Sequence, residues 1–128
     1  MSKKILLVDD EQDFLEIMSE RIRSWGYEVI EVSSANKVID TIKKERPGLA
    51  ILDYMMPDTD GITILKKIRK VDRDLPVIMF TAHTDSEAIE QSEKLGISAF
   101  IPKLSAYTDS EVTLRSVIDM ESKKLKKE

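Results

Sequence analysis

The sequence predicts an α/β protein built on a doubly wound, five-stranded parallel sheet. Short apolar runs alternate five times with stretches whose apolar residues recur every three or four positions, which is typical of strands alternating with amphipathic helices. One run, Leu49–Leu52, contains no polar residue, as expected of a parallel strand buried on both faces. A five-stranded unit of this length most often has the flavodoxin-like strand order 2-1-3-4-5.

The first half of the chain supplies three strands and two helices. Lys4–Val8 is a short apolar run, and from Glu11 an apolar stripe marks the first helix, which Gly26 ends. Residues 27–32 alternate between apolar and polar side chains, which predicts a strand nearer the edge of the sheet. A second apolar stripe then runs to Pro47, and the buried third strand follows.

The second half repeats the pattern. A third helical stripe precedes the apolar run 77–80, which ends at Thr81, and residues 97–101 form the fifth predicted strand. The segments Thr84–Glu87 and Thr108–Glu111 have the form of capping boxes and predict the starts of helices four and five. The apolar face of helix four is thin, which is typical of a movable element of low local stability.

Composition excludes several classes of protein. The apolar share of 41% and the charged share of 34% are those of a soluble globular protein. The absence of cysteine excludes disulfides and thiolate zinc sites, and no segment is apolar enough for a signal peptide or a membrane span. The net charge of −4 argues against general nucleic-acid binding. A cytoplasmic location is therefore expected.

The length predicts one domain over residues 1–128 with a core from about 4 to 122. Residues 123–128 are rich in lysine and lack aromatic side chains, which favours a solvated helix end over a nucleic-acid site. They could also be the start of a linker to a further domain.

Chemically useful side chains follow four of the predicted strands. Strand one is followed by Asp9 and Asp10, strand three by Asp53, strand four ends in Thr81, and strand five is followed at a short distance by Lys103. Parallel strands bring these ends to one edge of the sheet. Three neighbouring carboxylates repel each other, and a divalent cation such as Mg²⁺, bound through oxygens, relieves that repulsion.

The hydroxyl and the ammonium on the same edge predict a site for a tetrahedral anion. Phosphoryl transfer depends mainly on positioning and charge stabilisation, and a carboxylate can itself be the nucleophile. Asp53 is the best candidate because it stands alone after the central strand. No glycine-rich phosphate loop follows strand one, which argues against nucleotide or flavin binding there.

Five short motifs occupy these strand ends. They are Val8-Asp9-Asp10-Glu11, Ile51-Leu52-Asp53-Tyr54-Met55-Met56-Pro57, Asp60-Gly61, Phe80-Thr81-Ala82 and Ala99-Phe100-Ile101-Pro102-Lys103. In this order and strand context the motifs resemble the receiver domain of two-component response regulators. The resemblance covers nearly the whole chain, from about residue 4 to the final helix.

The resemblance implies that Asp53 is the phosphoacceptor, and that its donor is a histidine kinase or a histidine phosphotransfer protein. It further implies that Asp10 binds Mg²⁺ directly and Asp9 largely through water. Asp53 and the backbone carbonyl of Met55 would be further ligands of the metal. Mn²⁺ is an alternative ion for the same oxygen ligands.

The resemblance also implies a switch. Thr81 and Lys103 would hold the phosphoryl oxygens, the Thr81 hydroxyl would move toward the phosphoryl group, and the ring of Phe100 would turn inward. A downstream protein would recognise the changed face formed by helix four, strand five and helix five. Met55 and His83 would flank the path of the attacking water and tune the lifetime of the phosphoryl group.

The sequence departs from the family pattern after Lys103. The family usually has proline at the next position, joined by a cis bond, whereas Leu104 stands here and the proline, Pro102, comes first. A cis bond without proline costs about 3–4 kcal/mol. We therefore expect a trans Lys103–Leu104 bond.

Two other functions fit part of the same pattern. A metal-dependent phosphohydrolase could use an aspartyl-phosphate intermediate, although such enzymes commonly have a second acid two residues after the nucleophile, where Met55 stands here. An acidic interaction module that is never phosphorylated is the other alternative. The receiver interpretation predicts a signalling phosphoacceptor that assists its own phosphorylation and dephosphorylation and turns over no external substrate.

Overall fold

A sheet of five parallel strands forms the centre of the computed structural model. The structure describes residues 3–57, 59–82, 85–103 and 107–126, and for residues 107–110 and 124–126 it describes the backbone only. The strands are β1 (Lys4–Val8), β2 (Glu28–Val32), β3 (Leu49–Leu52), β4 (Val77–Thr81) and β5 (Ala99–Pro102). Their order across the sheet is β2-β1-β3-β4-β5, and every neighbouring pair is parallel. The predicted order and the edge position of β2 are therefore confirmed.

Five helices connect or follow the strands. They are α1 (Gln12–Ser24), α2 (Val38–Glu45), α3 (Gly61–Val71), α4 (Ser86–Lys94) and α5 (Tyr107–Lys126). A 3₁₀ turn, Ala35–Lys37, precedes α2. The short strands Met55–Met56 and Thr59–Asp60 form a separate antiparallel hairpin between β3 and α3. Among the described residues, no helix combines the length and the apolar character that crossing a bilayer requires.

The strands have apolar side chains on both faces because helices cover both faces of the sheet. One core cluster joins alternate strand residues, such as Leu6 and Leu52, to apolar side chains of α2 and α3. The other joins the intervening strand residues, such as Leu7 and Ile51, to side chains of α1 and α5. All four residues of β3 are buried, as its uninterrupted apolar run predicts.

The starts of α4 and α5 differ from the capping-box predictions. Asp85 caps α4, because its carboxylate accepts a hydrogen bond from the backbone N–H of Ala88, and the predicted cap Thr84 lies outside the described residues. The helix α5 begins at Tyr107, one residue before the predicted cap Thr108. The prediction placed the cap one residue early in α4 because aspartate at position 85 is an equally good cap.

The predicted thin apolar face of α4 is confirmed, since Ala88 and Ser92 are the buried residues of this helix. Its C-terminal end is held by Arg69 of α3. The Arg69 guanidinium donates hydrogen bonds to the carbonyl oxygens of Leu95 (2.7 Å) and Gly96 (3.1 Å), just beyond α4. It also donates to the carbonyl of Leu75 at 2.8 Å, which fixes the chain entering β4. One side chain thus anchors the end of α4 to the body of the fold.

Candidate functional site

The carboxyl ends of β1, β3, β4 and β5 bring the predicted site residues to one edge of the sheet. The backbone N–H of Asp53 donates to the carbonyl of Val8 at 3.1 Å, which places Asp53 beside the end of β1. On the other side, the backbone N–H of Lys103 donates to the carbonyl of Thr81 at 2.8 Å. The strand pairing alone therefore aligns the starting points of these side chains.

Three carboxylates converge at this edge. Asp9 is 1% exposed and Asp53 is 6% exposed, whereas Asp10 lies at the surface. One oxygen from each of the three lies within 4.8 Å of the others. An all-oxygen set with two buried carboxylates and one open side fits a small, hard cation that keeps part of its water shell, which describes Mg²⁺.

Backbone hydrogen bonds orient the two buried carboxylates. Asp9 accepts a hydrogen bond from the backbone N–H of Glu11 at 3.0 Å, at the start of α1. Asp53 accepts a longer one, 3.4 Å, from the backbone N–H of Met55. Each of these bonds uses one oxygen of its carboxylate, and the other oxygen of each faces the Lys103 ammonium.

The ammonium of Lys103 lies between the two buried acids. Its Nζ is 2.6 Å from an oxygen of Asp9 and 3.4 Å from an oxygen of Asp53, and the Lys103 side chain is only 11% exposed. Sequence reasoning predicted that this cation would lie near Asp53, and the structure brings them together. Sequence reasoning did not predict that Asp9 would be closer to the Lys103 ammonium than Asp53 is.

The pKa directions reflect burial opposed by this pairing. Burial raises the pKa of Asp9 above its usual range, and the hydrogen bonds from Lys103 and from the Glu11 backbone oppose that rise only in part. Burial alone would lower the pKa of Lys103, but the hydrogen bond to Asp9 and the nearby Asp53 outweigh it, so the pKa of Lys103 is raised. Asp9 therefore holds its negative charge at a cost that Lys103 reduces.

An open cleft of about 440 Å³ lies over these groups. Its lining residues are Asp10, Glu11, Asp53, Met55, Thr81, Ala82 and Lys103. Met55 follows Asp53 in the hairpin and is 53% exposed, while Thr81 is buried at the end of β4. The predicted phosphate-holding residues and the predicted metal ligands other than Asp9 thus line one solvent-accessible space. Asp9 lies buried beside it, next to the Lys103 ammonium.

The remaining predictions for site residues divide into two groups. Phe100 of β5 is partly buried and packs against the core cluster on the α2–α3 side of the sheet. His83 and Leu104 lie outside the described residues. The role of His83 and the trans Lys103–Leu104 bond therefore stay predictions.

Gly61 has a role at the site that sequence reasoning missed. Asp60-Gly61 was recognised as one of the five motifs, but the reason for the glycine is that there is no space for a side chain. A Cβ on Gly61 would lie 2.9 Å from Cα of Tyr54, 3.0 Å from the carbonyl oxygen of Asp53 and 3.0 Å from Sδ of Met79. The backbone N–H of Gly61 also donates to the carbonyl of Tyr54 at 2.6 Å. The first turn of α3 therefore rests directly on the segment that carries Asp53.

Replacing Gly61 by alanine is expected to lower the free energy of unfolding by about 1–3 kcal/mol, because two of the three atoms that the new Cβ meets are backbone and cannot turn aside. In an ordinary helical position the same change would be stabilising. Urea denaturation measures the effect, with Thr63→Ala as a matched control, since Thr63 is exposed in the same turn. A Gly61→Ala variant as stable as the wild type would contradict the close approach.

The arrangement has three chemical capabilities. The carboxylate of Asp53 lines an open cleft, where a carboxylate can act as a nucleophile, and the carboxylate cluster could hold a cation beside it. The ammonium and the Thr81 hydroxyl line the same space and can donate to the oxygens of an anion. These are the components that a phosphoryl group requires.

The chain is similar to known proteins. The family model described as "Response regulator receiver domain" matches residues 5–114. "Sporulation initiation phosphotransferase F" of Bacillus subtilis is 35% identical over 96 residues, which are 75% of this chain and 77% of that protein. "Probable transcriptional regulator ycf27" of Porphyridium aerugineum is 34% identical over 116 residues, or 91% of this chain. The matched part is 48% of that relative, so the chain spans about half of its length.

Solved structures have the same fold. A CheY-like response regulator receiver domain protein from Methanospirillum hungatei superposes with a TM-score of 0.85 at 28% identity, covering 97% of this chain and 99% of that one. The non-phosphorylated HemR receiver domain from Leptospira biflexa gives a TM-score of 0.84 at 27% identity, covering 91% and 94%. The likeness therefore extends over nearly the whole of each chain.

Proposed function

The chain belongs to the family of response regulator receiver domains, and from this premise we propose that Asp53 accepts a phosphoryl group from a histidine kinase or a histidine phosphotransfer protein, with Mg²⁺ bound beside it. The observation that carries the proposal is the convergence of three carboxylates and one ammonium at one edge of the sheet, where Asp10, Asp53 and Lys103 line an open cleft. The relative from Bacillus subtilis bears the name of a phosphotransferase, which supports the same chemistry.

The proposed step is a displacement at phosphorus. A carboxylate oxygen of Asp53 attacks the phosphorus of the donor's phosphohistidine, a P–O bond forms, and the P–N bond of the donor breaks. The imidazole leaves with the bonding electron pair and takes up a proton from solvent. Later attack of water on the phosphorus releases inorganic phosphate and restores the Asp53 carboxylate.

Each neighbouring residue has a proposed part in this step. Asp9, Asp10, Asp53 and the Met55 carbonyl would hold the metal, whose positive charge would offset that of the phosphoryl oxygens. Lys103 would donate to one phosphoryl oxygen and Thr81 to another. Because Lys103 already contacts Asp53 at 3.4 Å, its ammonium needs only a short movement to reach an oxygen attached there.

The consequence of phosphorylation is proposed to be a change in a protein-binding face formed by α4, β5 and α5. Thr81 and Phe100 would carry the change from the site to this face. Because α4 buries only a small face, it is suited to move relative to the sheet. The hydrogen bonds from Arg69 to the carbonyls of Leu95 and Gly96 hold its C-terminal end in place. His83 and Met55 are proposed to tune the lifetime of the acyl phosphate.

The test is incubation of the protein with acetyl phosphate, with and without Mg²⁺, followed by intact-mass measurement. We expect the mass of one phosphoryl group to be added per chain, and only when Mg²⁺ is present. Reduction of the acyl phosphate by borohydride, followed by peptide mapping, should identify Asp53 as the modified residue. Continuous release of phosphate from external phosphate esters would instead favour the phosphohydrolase. The absence of labelling together with no response to Mg²⁺ would favour the interaction module.

A further inference from the structure

Lys103 has a third neighbour that the proposed function does not use. Its Nζ lies 3.9 Å from the centroid of the Phe14 ring, while the same atom faces Asp9 and Asp53. A cation at this distance over an aromatic face is attracted by the ring quadrupole. The ammonium therefore contacts two carboxylates and the face of an aromatic ring.

The ring itself is held in place from behind. Phe14 lies on α1 and packs against the core cluster on the α1–α5 side of the sheet. Its centroid is 5.8 Å from that of Phe80, with the two rings tilted by 49°. Phe80 is fully buried on β4, directly before Thr81. The buried ring of Phe80 thus supports the partly buried ring of Phe14, over which the Lys103 ammonium lies.

A ring face suits a cation that must change partners. Moving from the Asp53 carboxylate to a phosphoryl oxygen means giving up one acceptor and gaining another. A carbonyl or carboxylate in place of the ring would compete with the phosphoryl oxygen for the same N–H donors. The ring attracts the charge without offering a lone pair, so it retains the ammonium in the site during the exchange.

We propose that Phe14 is a positioning residue for phosphoryl transfer to Asp53, which acts by holding the Lys103 ammonium over the reacting atoms. The inference rests on the proposed function and deepens it. The apolar stripe of α1 accounts for burial of the Phe14 side chain but not for the ammonium above its face, because leucine would fill a core position equally well.

The test is a series of fluorinated phenylalanines placed at position 14 by amber suppression. One, two and three ring fluorines weaken the negative ring face in steps and hardly change the shape of the side chain. We expect the rate constant for labelling by acetyl phosphate to fall with each fluorine, by roughly three- to tenfold over the series. Phe14→Tyr should keep the wild-type rate, whereas Phe14→Leu should lose as much as the most fluorinated ring.

The same series in a Lys103→Gln background is the matched control. If Phe14 acts through Lys103, the labelling rate there should not depend on the number of fluorines. A flat series in the wild-type background, or equal slopes in both backgrounds, would overturn the proposal and leave Phe14 as a packing residue.

An NMR readout separates this inference from the proposed function. The ring current should shift the Lys103 Cε protons upfield in the wild type, and the shift should vanish in Phe14→Leu. Wild-type protein that takes no phosphate on Asp53 refutes the proposed function and, with it, the positioning role. Normal labelling of Asp53 with no upfield shift and a flat fluorine series refutes the positioning role alone.

Discussion

Replacing Asp53 by asparagine is expected to abolish labelling by acetyl phosphate and to leave the protein folded. Asparagine has nearly the shape of aspartate, so its side-chain oxygen can still accept the hydrogen bond from the Met55 backbone. The neutral amide is a poor nucleophile, and an acyl phosphate on it cannot form. Intact-mass measurement after incubation with the donor and Mg²⁺ should therefore detect no added phosphate.

Asp13→Asn is the matched control for this loss. Asp13 lies in the first turn of α1 and is exposed, so the change removes one carboxylate close to the site in sequence but outside the cleft lining. This variant should label at the wild-type rate. Wild-type labelling of Asp53→Asn would refute the assignment of the phosphoacceptor and require a different nucleophile.

The position of Asp53 was predictable because its signal is local. Four apolar residues followed by an aspartate identify a buried parallel strand and the residue at its carboxyl end. The general rule that parallel strands end at one edge then places Asp9, Asp10, Thr81 and Lys103 beside it. Nothing about side-chain conformation is needed for that step, which is why the sequence was sufficient.

The contacts of the side chains were not predictable in the same way. The preference of Lys103 for Asp9, at 2.6 Å, over Asp53, at 3.4 Å, depends on the path of a flexible side chain across the cleft. Phe14 has the helical spacing of an ordinary core residue, and only the tertiary structure places its ring under the ammonium. Gly61 likewise gives no local sign that its missing Cβ leaves room for Tyr54.

Removing the ammonium of Lys103 is expected to have the largest effect on the free energy of unfolding. Lys103→Met keeps much of the side-chain length but leaves Asp9 and Asp53 buried without their ammonium, which should cost about 3 kcal/mol at neutral pH. Urea denaturation measures this loss. Lys103→Arg, which keeps a positive charge, should lose less, and Lys94→Met should lose little because its ion pair with Glu90 is exposed.

The pH dependence of this loss has a definite sign on the acidic side. The pKa of Asp9 is already raised by burial, and without Lys103 the pKa of Asp9 should rise further. A carboxyl group with a raised pKa binds its proton more tightly in the folded state than in the unfolded state, so acidification from neutral pH relieves its cost. The deficit of Lys103→Met relative to the wild type should therefore shrink as the pH falls.

At alkaline pH the wild type loses its extra stability over Lys103→Met. Because the pKa of Lys103 is raised in the folded state, its contribution to stability is complete below the unfolded pKa of 10.5 and is lost as the pH rises through the folded pKa. Lys103→Met lacks this contribution at every pH. The difference in stability should thus be greatest near neutral pH and narrow toward both ends of the range.

Mg²⁺ should compensate for the missing ammonium if the carboxylate cluster binds it. In the wild type a bound metal would share the Asp9 carboxylate with Lys103, so its binding would weaken the existing ion pair. In Lys103→Met, no described side chain brings a positive charge to Asp9 and Asp53, so a bound metal would supply that charge. The metal should then bind the variant more tightly, and tighter binding stabilises the folded state more. Titration with Mg²⁺ should therefore raise the melting temperature of the variant more than that of the wild type. A deficit that stayed constant at every pH and Mg²⁺ concentration would mean that Lys103 contributes packing alone, and the electrostatic account of the site would be wrong.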